Sequence, residues 1–213
     1  MQTSPSLREN SPHQAWVLAV VSGFSDTVGF LSWGAFAGLM SGNSVLLGIA
    51  LAGGQMGDAL HRLGIIAAFL AGIAVSTLLV KKSLPLPGFV AIEATLLLLA
   101  AVLPVAGAAP MLGLAMGIQN AMANNFAGLT LNTVFITGNL QKLIQTLIGR
   151  SRRSREVASE PDHAGIIVGL WIFYLAGAAL GAAAHSHLTH PLLLAPLLLL
   201  LVLFGPANST ARK

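Results

Sequence analysis

Residues 36–54, FAGLMSGNSVLLGIALAGG, carry the most informative pattern of the sequence, because a similar pattern returns at residues 129–149, LTLNTVFITGNLQKLIQTLIG. Each is an apolar run interrupted by a hydroxyl residue, a glycine and an asparagine. The interruptions, Ser41-Gly42-Asn43 and Thr137-Gly138-Asn139, lie 96 positions apart. Glycine permits a tight turn, and hydroxyl or amide oxygens can accept hydrogen bonds from the first N–H groups of a helix. The pattern therefore predicts two half-helices that begin at these motifs, with an ordinary glycine-hinged span as the alternative.

The composition is that of an integral membrane protein. Of 213 residues, 55% are hydrophobic and 8% are charged, whereas about 25% of the residues in a soluble domain are charged. At about 20 residues per span, the chain allows six to eight transmembrane helices. We therefore predict an all-α fold, a polytopic transmembrane helix bundle. Apolar runs predict six spans directly: residues 14–36, 59–80, 87–105, 109–126, 164–184 and 191–204.

Further matches indicate an internal duplication. GFSD at 23–26 corresponds to GIQN at 117–120, 94 positions later, and FLAG at 69–72 corresponds to YLAG at 174–177, 105 positions later. An inserted basic loop accounts for the growing offset. We predict a single transmembrane domain, 1–213, with repeat one at about 14–106, repeat two at about 108–205, polar tails at 1–13 and 206–213, and the basic loop at 150–163.

The basic residues distinguish two topologies, because loops rich in Lys and Arg remain in the cytoplasm. If both motif segments are re-entrant, there are six spans, and only Arg62 lies opposite the other basic residues. If both segments cross, there are eight spans, and Lys81-Lys82 moves to the opposite side. The charge bias favours six spans with cytoplasmic termini. Each repeat then has an odd number of spans, so the two repeats are inverted, as in many transporters.

The same motifs resemble those of a known family. GFSDTVGF (23–30), SGNSVLLGIAL (41–51), GIQNAM (117–122) and TGNLQKL (137–143) are similar to the YoaK-like family of bacterial multi-pass inner-membrane proteins, a domain of unknown function. The resemblance covers about residues 13–205. It departs at Ser41, where the family usually has threonine, so the hydroxyl group is kept. The resemblance implies a multi-pass membrane fold and no particular activity or substrate.

Asp26 is the foremost candidate functional residue, because a carboxylate within a span costs about 2.5–3.5 kcal/mol on insertion scales. We expect it to be a proton or cation site; the alternative is a hydrogen-bonded acid that locks helix packing. Its counterpart in the second repeat is the neutral Asn120. The residues predicted to bind a solute are Asp26, Ser41, Gly42, Asn43, Gln119, Asn120, Thr137, Gly138 and Asn139.

Three other features are expected to be structural. Glu93 lies early in its apolar run and is interpreted as an interfacial carboxylate rather than a coupling residue. The sequence HSHLTH, residues 185–190, is interpreted as a solvated loop rather than a metal site, since the first two histidines do not share a helix face. Gly177 and Gly181 are typical of close helix packing.

The sequence offers no enzyme chemistry. It has no cysteine, no P-loop and no nucleophile elbow, so we predict no catalytic residue, metal or cofactor. The N-termini of half-helices attract small polar or anionic groups. We therefore expect a small-solute transporter or channel whose partners are the lipid bilayer and that solute, without nucleic acid, and with homo-oligomerisation left open. The alternative is a non-transporting membrane scaffold or partner-binding subunit.

Overall fold

The computed structural model describes residues 11–122, 125–126, 129–134, 136–152 and 163–204. Most of the predicted polar tails and basic loop lies outside these residues. The helices are α1 Pro12–Trp33, α2 Met40–Ala52, α3 Met56–Lys81, α4 Leu86–Val102, α5 Val105–Met122, α6 Ile136–Arg152, α7 His163–His187 and α8 Leu194–Leu200. Short 3-10 helices at Pro191–Leu193 and Leu201–Phe204 flank α8, and β1 Asn125–Phe126 pairs antiparallel with β2 Leu129–Thr130.

The predicted all-α fold is confirmed, and each of the six apolar runs contains a helix. The prediction is wrong at the end of the fourth run, because α5 ends at Met122 and Asn125–Phe126 forms a strand pair. Asparagine favours turns over helix interiors, since its side chain competes for backbone groups. By length and composition, α1, α3 and α7 can cross a membrane, and α2, α4 and residues 191–204 form shorter apolar helices.

The boundaries of α1 follow from its flanking residues. Ser11 and Gln14 form a capping box, in which each side chain accepts a hydrogen bond from the backbone N–H of the other. Pro12 fits the first helical position because it needs no N–H partner there. Gly34 ends the helix in the left-handed region at φ 64°, which glycine adopts without strain. The chain therefore leaves α1 in a sharp turn.

After that turn, the chain runs back along α1. The backbone N–H of Gly38 lies beside Asp26, which precedes the end of α1 by about 10 Å at 1.5 Å per residue. The helix α2 begins at Met40, next to this point. Arg62, in the second turn of α3, donates a hydrogen bond to the Gly34 carbonyl. The start of α3 therefore lies near the C-terminal end of α1. Between them, the chain runs from Gly34 back to the depth of Asp26, and α2 returns it to the end of α1.

The longest helix contacts are made through glycines. The helix α1 packs along α7, and α3 packs along α5. A Cβ atom built on Gly23 would lie 2.0 Å from the Tyr174 carbonyl oxygen, and one on Gly177 would lie 2.1 Å from that of Val20. These backbones therefore touch directly. The predicted close packing at Gly177 is confirmed.

The second helix pair repeats this contact. A Cβ atom on Gly117 of α5 would lie 2.1 Å from the Phe69 carbonyl oxygen of α3, and one on Gly72 would lie 2.3 Å from that of Leu114. In both pairs a glycine of each helix meets a carbonyl group of the other. Small residues at such positions let helix backbones approach closely. This contact matters in a membrane, because there no hydrophobic force drives the helices together.

Contacts along the helices fix their relative directions. The Trp16 indole donates to the Ile166 carbonyl, and Ser32 lies beside His185, so α1 and α7 are parallel. Gln119 bonds to Leu18, whereas a Cβ atom on Gly29 would meet Leu112, so α5 is antiparallel to α1. Between α3 and α5, Gly113 contacts Ile65 and Gly117 contacts Phe69, so the residue numbers rise in the same direction along both helices. The helices α3 and α5 are therefore parallel to each other and opposite in direction to α1 and α7.

The outer surface is rich in large apolar side chains. A water-soluble protein rarely exposes such extended apolar patches, whereas a membrane protein presents them to lipid. Much of this surface belongs to α3 and α7. The exposed residues there include Leu60, Leu63, Leu70, Leu78, Trp171, Ile172 and Leu175.

We predict that Gly177→Ala lowers the free energy of unfolding in detergent by about 1–3 kcal/mol, since the added methyl group forces α1 and α7 apart. The matched control is Gly64→Ala, also within a long helix, where a Cβ atom would have nothing within 4 Å. That control should be neutral or stabilising by up to about 1 kcal/mol. Equal effects of the two substitutions in denaturant unfolding would contradict the close packing.

Candidate functional site

Asn43 holds the backbone of the segment that turns back along α1. Its Oδ1 accepts a hydrogen bond from the Phe36 N–H at 2.9 Å, and its Nδ2 donates to the Phe36 carbonyl at 2.8 Å. One side chain thus satisfies both polar groups of the residue seven positions earlier. Asn43 itself is fully buried. The segment between Phe36 and α2 is therefore closed into a fixed loop, here called tip 1, residues 36–39.

Asn139 makes the same arrangement in the second motif. Its Oδ1 accepts from the Asn132 N–H at 3.2 Å, and its Nδ2 donates to the Asn132 carbonyl at 2.5 Å. Again the partner precedes by seven positions, and Asn139 is buried. We call residues 132–134 tip 2. The two asparagines, 96 positions apart, are therefore used identically.

The motif residues do not cap α2 as predicted. The helix starts at Met40, before the motif, and no side chain bonds to its first N–H groups from the N-cap residue Leu39. Ser41 is exposed and Gly42 lies against the Phe36 ring, so neither reaches tip 1 with a polar group. Ser41 therefore lies on the exposed surface of α2, Gly42 packs against the Phe36 ring, and Asn43 makes the polar contacts of the motif.

The second motif has the same division of roles. Thr137 and Gly138 are exposed in the first turn of α6, and only Asn139 is buried. The helix α6 has 17 residues, about 26 Å at 1.5 Å per residue, and begins one residue before the motif. The helix α2 has 13 residues, about 20 Å.

Asp26 anchors tip 1 from α1. Its Oδ1 accepts hydrogen bonds from the Gly38 N–H at 2.7 Å and the Leu39 N–H at 3.3 Å. Its Oδ2 accepts from the Tyr174 hydroxyl at 2.6 Å. Bonds of this kind to a carboxylate are about twice as strong as neutral ones. Asp26 is 3% exposed. Its hydrogen bonds join α1 to tip 1 and to α7.

Sequence reasoning missed Tyr174, although a signal was present. Tyr174 begins the YLAG match, whose partner FLAG begins with Phe69. The only tyrosine of the chain thus occurs in one of these two matching segments, and the acid Asp26 in one of the segments GFSD and GIQN, where the other has the neutral Asn120. A hydroxyl and an acid that are each missing from the matching segment indicate a pair.

Gln119 links the two halves of the chain. Its Nε2 lies 2.6 Å from Ser22 Oγ, 3.1 Å from the Leu18 carbonyl and 3.1 Å from Thr133 Oγ1. The amide therefore joins α5 to both α1 and tip 2. Gln119 is fully buried.

Asn120 contacts tip 2 directly. Its Oδ1 accepts a hydrogen bond from Asn132 Nδ2 at 2.5 Å. Asn132 Oδ1 in turn accepts from the Val134 N–H at 2.9 Å. Asn120 and Asn139 thus hold tip 2 from its two sides, as Asp26 and Asn43 hold tip 1. The side chains of Asn124 and Asn125 lie outside the described residues.

The two tips meet each other. A Cβ atom on Gly38 would lie 2.2 Å from Val134 Cγ1 and 3.7 Å from Met116 Cβ. Gly38 and Val134 are 96 positions apart, the same offset as the two motifs. The structure therefore brings together Asp26, Asn43, Gln119, Asn120 and Asn139 around this contact, and leaves Ser41, Thr137 and Gly138 on the outer surface of their helices.

Glu93 departs from its prediction as an interfacial residue. It lies midway along α4 with no exposed surface, and neither carboxyl oxygen has a hydrogen-bond partner among the described residues. The physical reason is tertiary packing, since α4 packs against α5 and α8 and Glu93 is on a buried part of its surface. His187 and His190 are exposed, and His185 lies 3.3 Å from the Ser32 hydroxyl.

Comparison with known proteins gives a family and a curated relative. A family model described as a protein of unknown function, DUF1275, matches residues 14–205. The UPF0700 transmembrane protein YoaK of Bacillus subtilis (strain 168) is 26% identical over 198 residues, which cover 86% of this chain and 88% of the relative. No solved structure matches. Together with the apolar exterior, these matches identify a membrane protein in contact with lipid.

We predict that Asn43→Ala lowers the free energy of unfolding by about 2–4 kcal/mol, because both backbone groups of Phe36 lose their partners. Asn43→Asp should also be destabilising, since its carboxylate keeps an acceptor for the Phe36 N–H but faces the Phe36 carbonyl with a second acceptor. The control is Ser44→Ala, whose exposed hydroxyl bonds only to the Met40 carbonyl. Denaturant unfolding and amide hydrogen exchange at residues 34–39 measure the effect. Protection of tip 1 in Asn43→Ala equal to that in Ser44→Ala would refute the clamp.

Proposed function

We propose that this chain, which belongs to the DUF1275 family, is a small-solute transporter or channel of the bacterial inner membrane and not an enzyme. The observation that carries the proposal is the meeting of two interrupted segments, tips 1 and 2, each held by buried polar side chains. Non-helical backbone within a membrane is tolerated only where protein covers it or where it lines a cavity.

The packing supports an inverted duplication. Under the offsets of 94 and 105, Gly23 corresponds to Gly117 and Tyr174 to Phe69. The contact between Gly23 and Tyr174 then has its counterpart in that between Gly117 and Phe69. The first helix of each repeat thus packs on the third helix of the other. Since α1 and α5 run in opposite directions, a two-fold axis lying in the membrane plane relates the repeats.

The helix directions also support six spans. In this arrangement α1, α3, α4, α5, α7 and the last helical segment, 191–204, cross the membrane. Tip 1 descends from one surface and α2 returns to it, while tip 2 and α6 do the same at the other surface. Lys81-Lys82 and the arginines of 150–155 then share one side with both termini. Under the positive-inside rule that side is the cytoplasm.

The tips are the proposed solute site. Each precedes a helix, α2 or α6, whose first N–H groups carry partial positive charge and attract polar or anionic groups. In repeat one, the carboxyl group of Asp26 already accepts hydrogen bonds from the N–H groups of Gly38 and Leu39, just before α2. In repeat two the counterpart, Asn120, is neutral. We propose that a small polar or anionic solute binds where the tips meet, next to Asn43, Gln119 and Asn139.

Asp26 is the proposed coupling site. Its carboxylate accepts hydrogen bonds from Gly38 and Leu39, so a proton or cation that binds the carboxylate competes with tip 1. Release of those N–H groups would free tip 1 to move against Val134. Proton or cation binding would thereby be linked to access at the contact between the tips.

A scaffold or partner-binding subunit without transport is the second candidate. One observation favours it: Asp26, Asn43 and Asn139 are all buried and bonded to other groups of the chain. Polar contacts of this kind between membrane helices contribute roughly 0.6 kcal/mol each. A scaffold needs such contacts for shape alone, without binding a solute.

Single-cysteine labelling tests the topology, because the chain has no cysteine. In intact cells, we expect a membrane-impermeant maleimide to label Gln55→Cys and not Lys82→Cys. Thr189→Cys is the control, since it faces outward in both the six-span and eight-span arrangements. Labelling of Lys82→Cys together with protection of Gln55→Cys would establish eight spans and exclude re-entrant tips.

A thermal screen of small polar and anionic solutes tests the binding site. We expect one class to raise Tm by about 5–10 °C at about 100 times its Kd. Asp26→Asn and Asn139→Ala should reduce this rise, measured from the Tm of each variant without solute, and Ser44→Ala should not. Uptake into liposomes then separates transport from binding. If no class raises Tm, or if the variants respond like the wild type, the scaffold is the better explanation.

A further inference from the structure

Glu93 is the buried acid that the proposed site does not use. It has no exposed surface, and both of its carboxyl oxygens lack hydrogen-bond partners in the described part of the chain. Its neighbours one turn away on α4, Val90 and Leu97, are buried and apolar. Asp26, by comparison, accepts three hydrogen bonds. The two intramembrane acids therefore have opposite surroundings.

No charged group is available to Glu93 from the elements packed on α4. Among the described elements, those packed most extensively on α4 are α5, α8 and the 3-10 helix Pro191–Leu193. None of the three contains an Asp, Glu, His, Lys, Arg or Tyr residue, and Glu93 is the only such residue within α4. The nearest hydroxyl along α4, that of Thr95, donates to the Ala91 carbonyl. Neither a salt bridge nor a neighbouring acid on these elements thus explains its position.

A purely structural role does not account for such a residue. An unpaired ionised carboxylate in an apolar interior is strongly destabilising, and a neutral carboxyl group without partners is also destabilising, though less so. An apolar side chain of similar length would fill the same space without either cost. Glu93 is therefore expected to have a function that requires a carboxyl group.

The ligand that such a site can hold is a proton. Metal cations such as Ca²⁺ and Mg²⁺ need six or so oxygen ligands, and the neighbouring positions on α4 are apolar. A proton needs only one carboxyl oxygen. Uptake converts the carboxylate to the neutral acid, the proton comes from water, and release returns it to water.

We propose that Glu93 is a second, separate proton-binding site, loaded with its proton in this conformation and able to release it when α4 moves relative to α5 and α8. Use of that proton to drive a solute rests on the proposed transport function, but the binding does not. The two acids then have different roles. Asp26 holds tip 1 through hydrogen bonds, and Glu93 binds a proton on α4, which packs on α5 and α8.

Infrared spectroscopy of the full-length protein in liposomes, labelled with ¹³C-glutamate and without added solute, tests the proposal. We expect a neutral-carboxyl C=O band that converts reversibly to a carboxylate band between about pH 4 and about pH 10, the span over which buried carboxyl groups titrate. The other glutamates, Glu9, Glu156 and Glu160, belong to polar segments of the sequence. Glu93→Gln should remove the neutral band, and Asp58→Asn, which removes an exposed acid, should leave it.

Two results would overturn the proposal: a labelled band that stays neutral over the whole pH range, or one that is always ionised. The wild-type titration decides this even if Glu93→Gln does not fold. Glu93→Met should have an equal or higher Tm, because it removes the unpaired group, and a lower Tm would reveal a structural contact and contradict the proposal. Because no solute is present, failure here leaves the transport proposal standing, and failure of the solute screen leaves proton binding at Glu93 standing.

Discussion

Backbone N–H and C=O groups that leave a helix inside an apolar layer must find partners within the chain, and the structure depends on how two asparagines meet this requirement. An amide side chain presents a donor and an acceptor side by side. Asn43 and Asn139 therefore each satisfy both polar groups of a single residue, Phe36 and Asn132. A carboxylate or hydroxyl at either position could not make the same pair of bonds. The start of each short helix, and the contact between the tips, follow from these two clamps.

The charged and polar side chains around the clamps extend this principle between helices. Asp26 reaches two further N–H groups of tip 1 and the hydroxyl of Tyr174, while Gln119 connects α5 to α1 and tip 2. The glycine contacts on either side bring the backbones close enough for these short side chains to bridge them. The polar centre and the small residues are thus parts of one arrangement, since neither would be stable without the other.

Much of the fold could be predicted from the sequence, because apolar runs, their lengths and the glycines follow from local rules. The use of Asn43 could not, since its partner depends on how the chain turns between Phe36 and Met40. The role of Tyr174 was readable in principle, as the hydroxyl is absent from its counterpart Phe69. The burial of Glu93 was not readable, because α4 is apolar on all sides and its sequence does not indicate which face is covered.

The contact of Gly38 with Val134 has an evolutionary consequence under the proposed duplication. A residue at a symmetry axis meets its own copy, so in an ancestor assembled from two identical chains the same side chain would have stood at both positions. Two valines would collide there, and two glycines would leave a gap. Under that proposal, joining the copies into one gene would have removed this constraint, because each position could then mutate independently. The glycine–valine pair would then be a fit that two identical chains related by this axis cannot make.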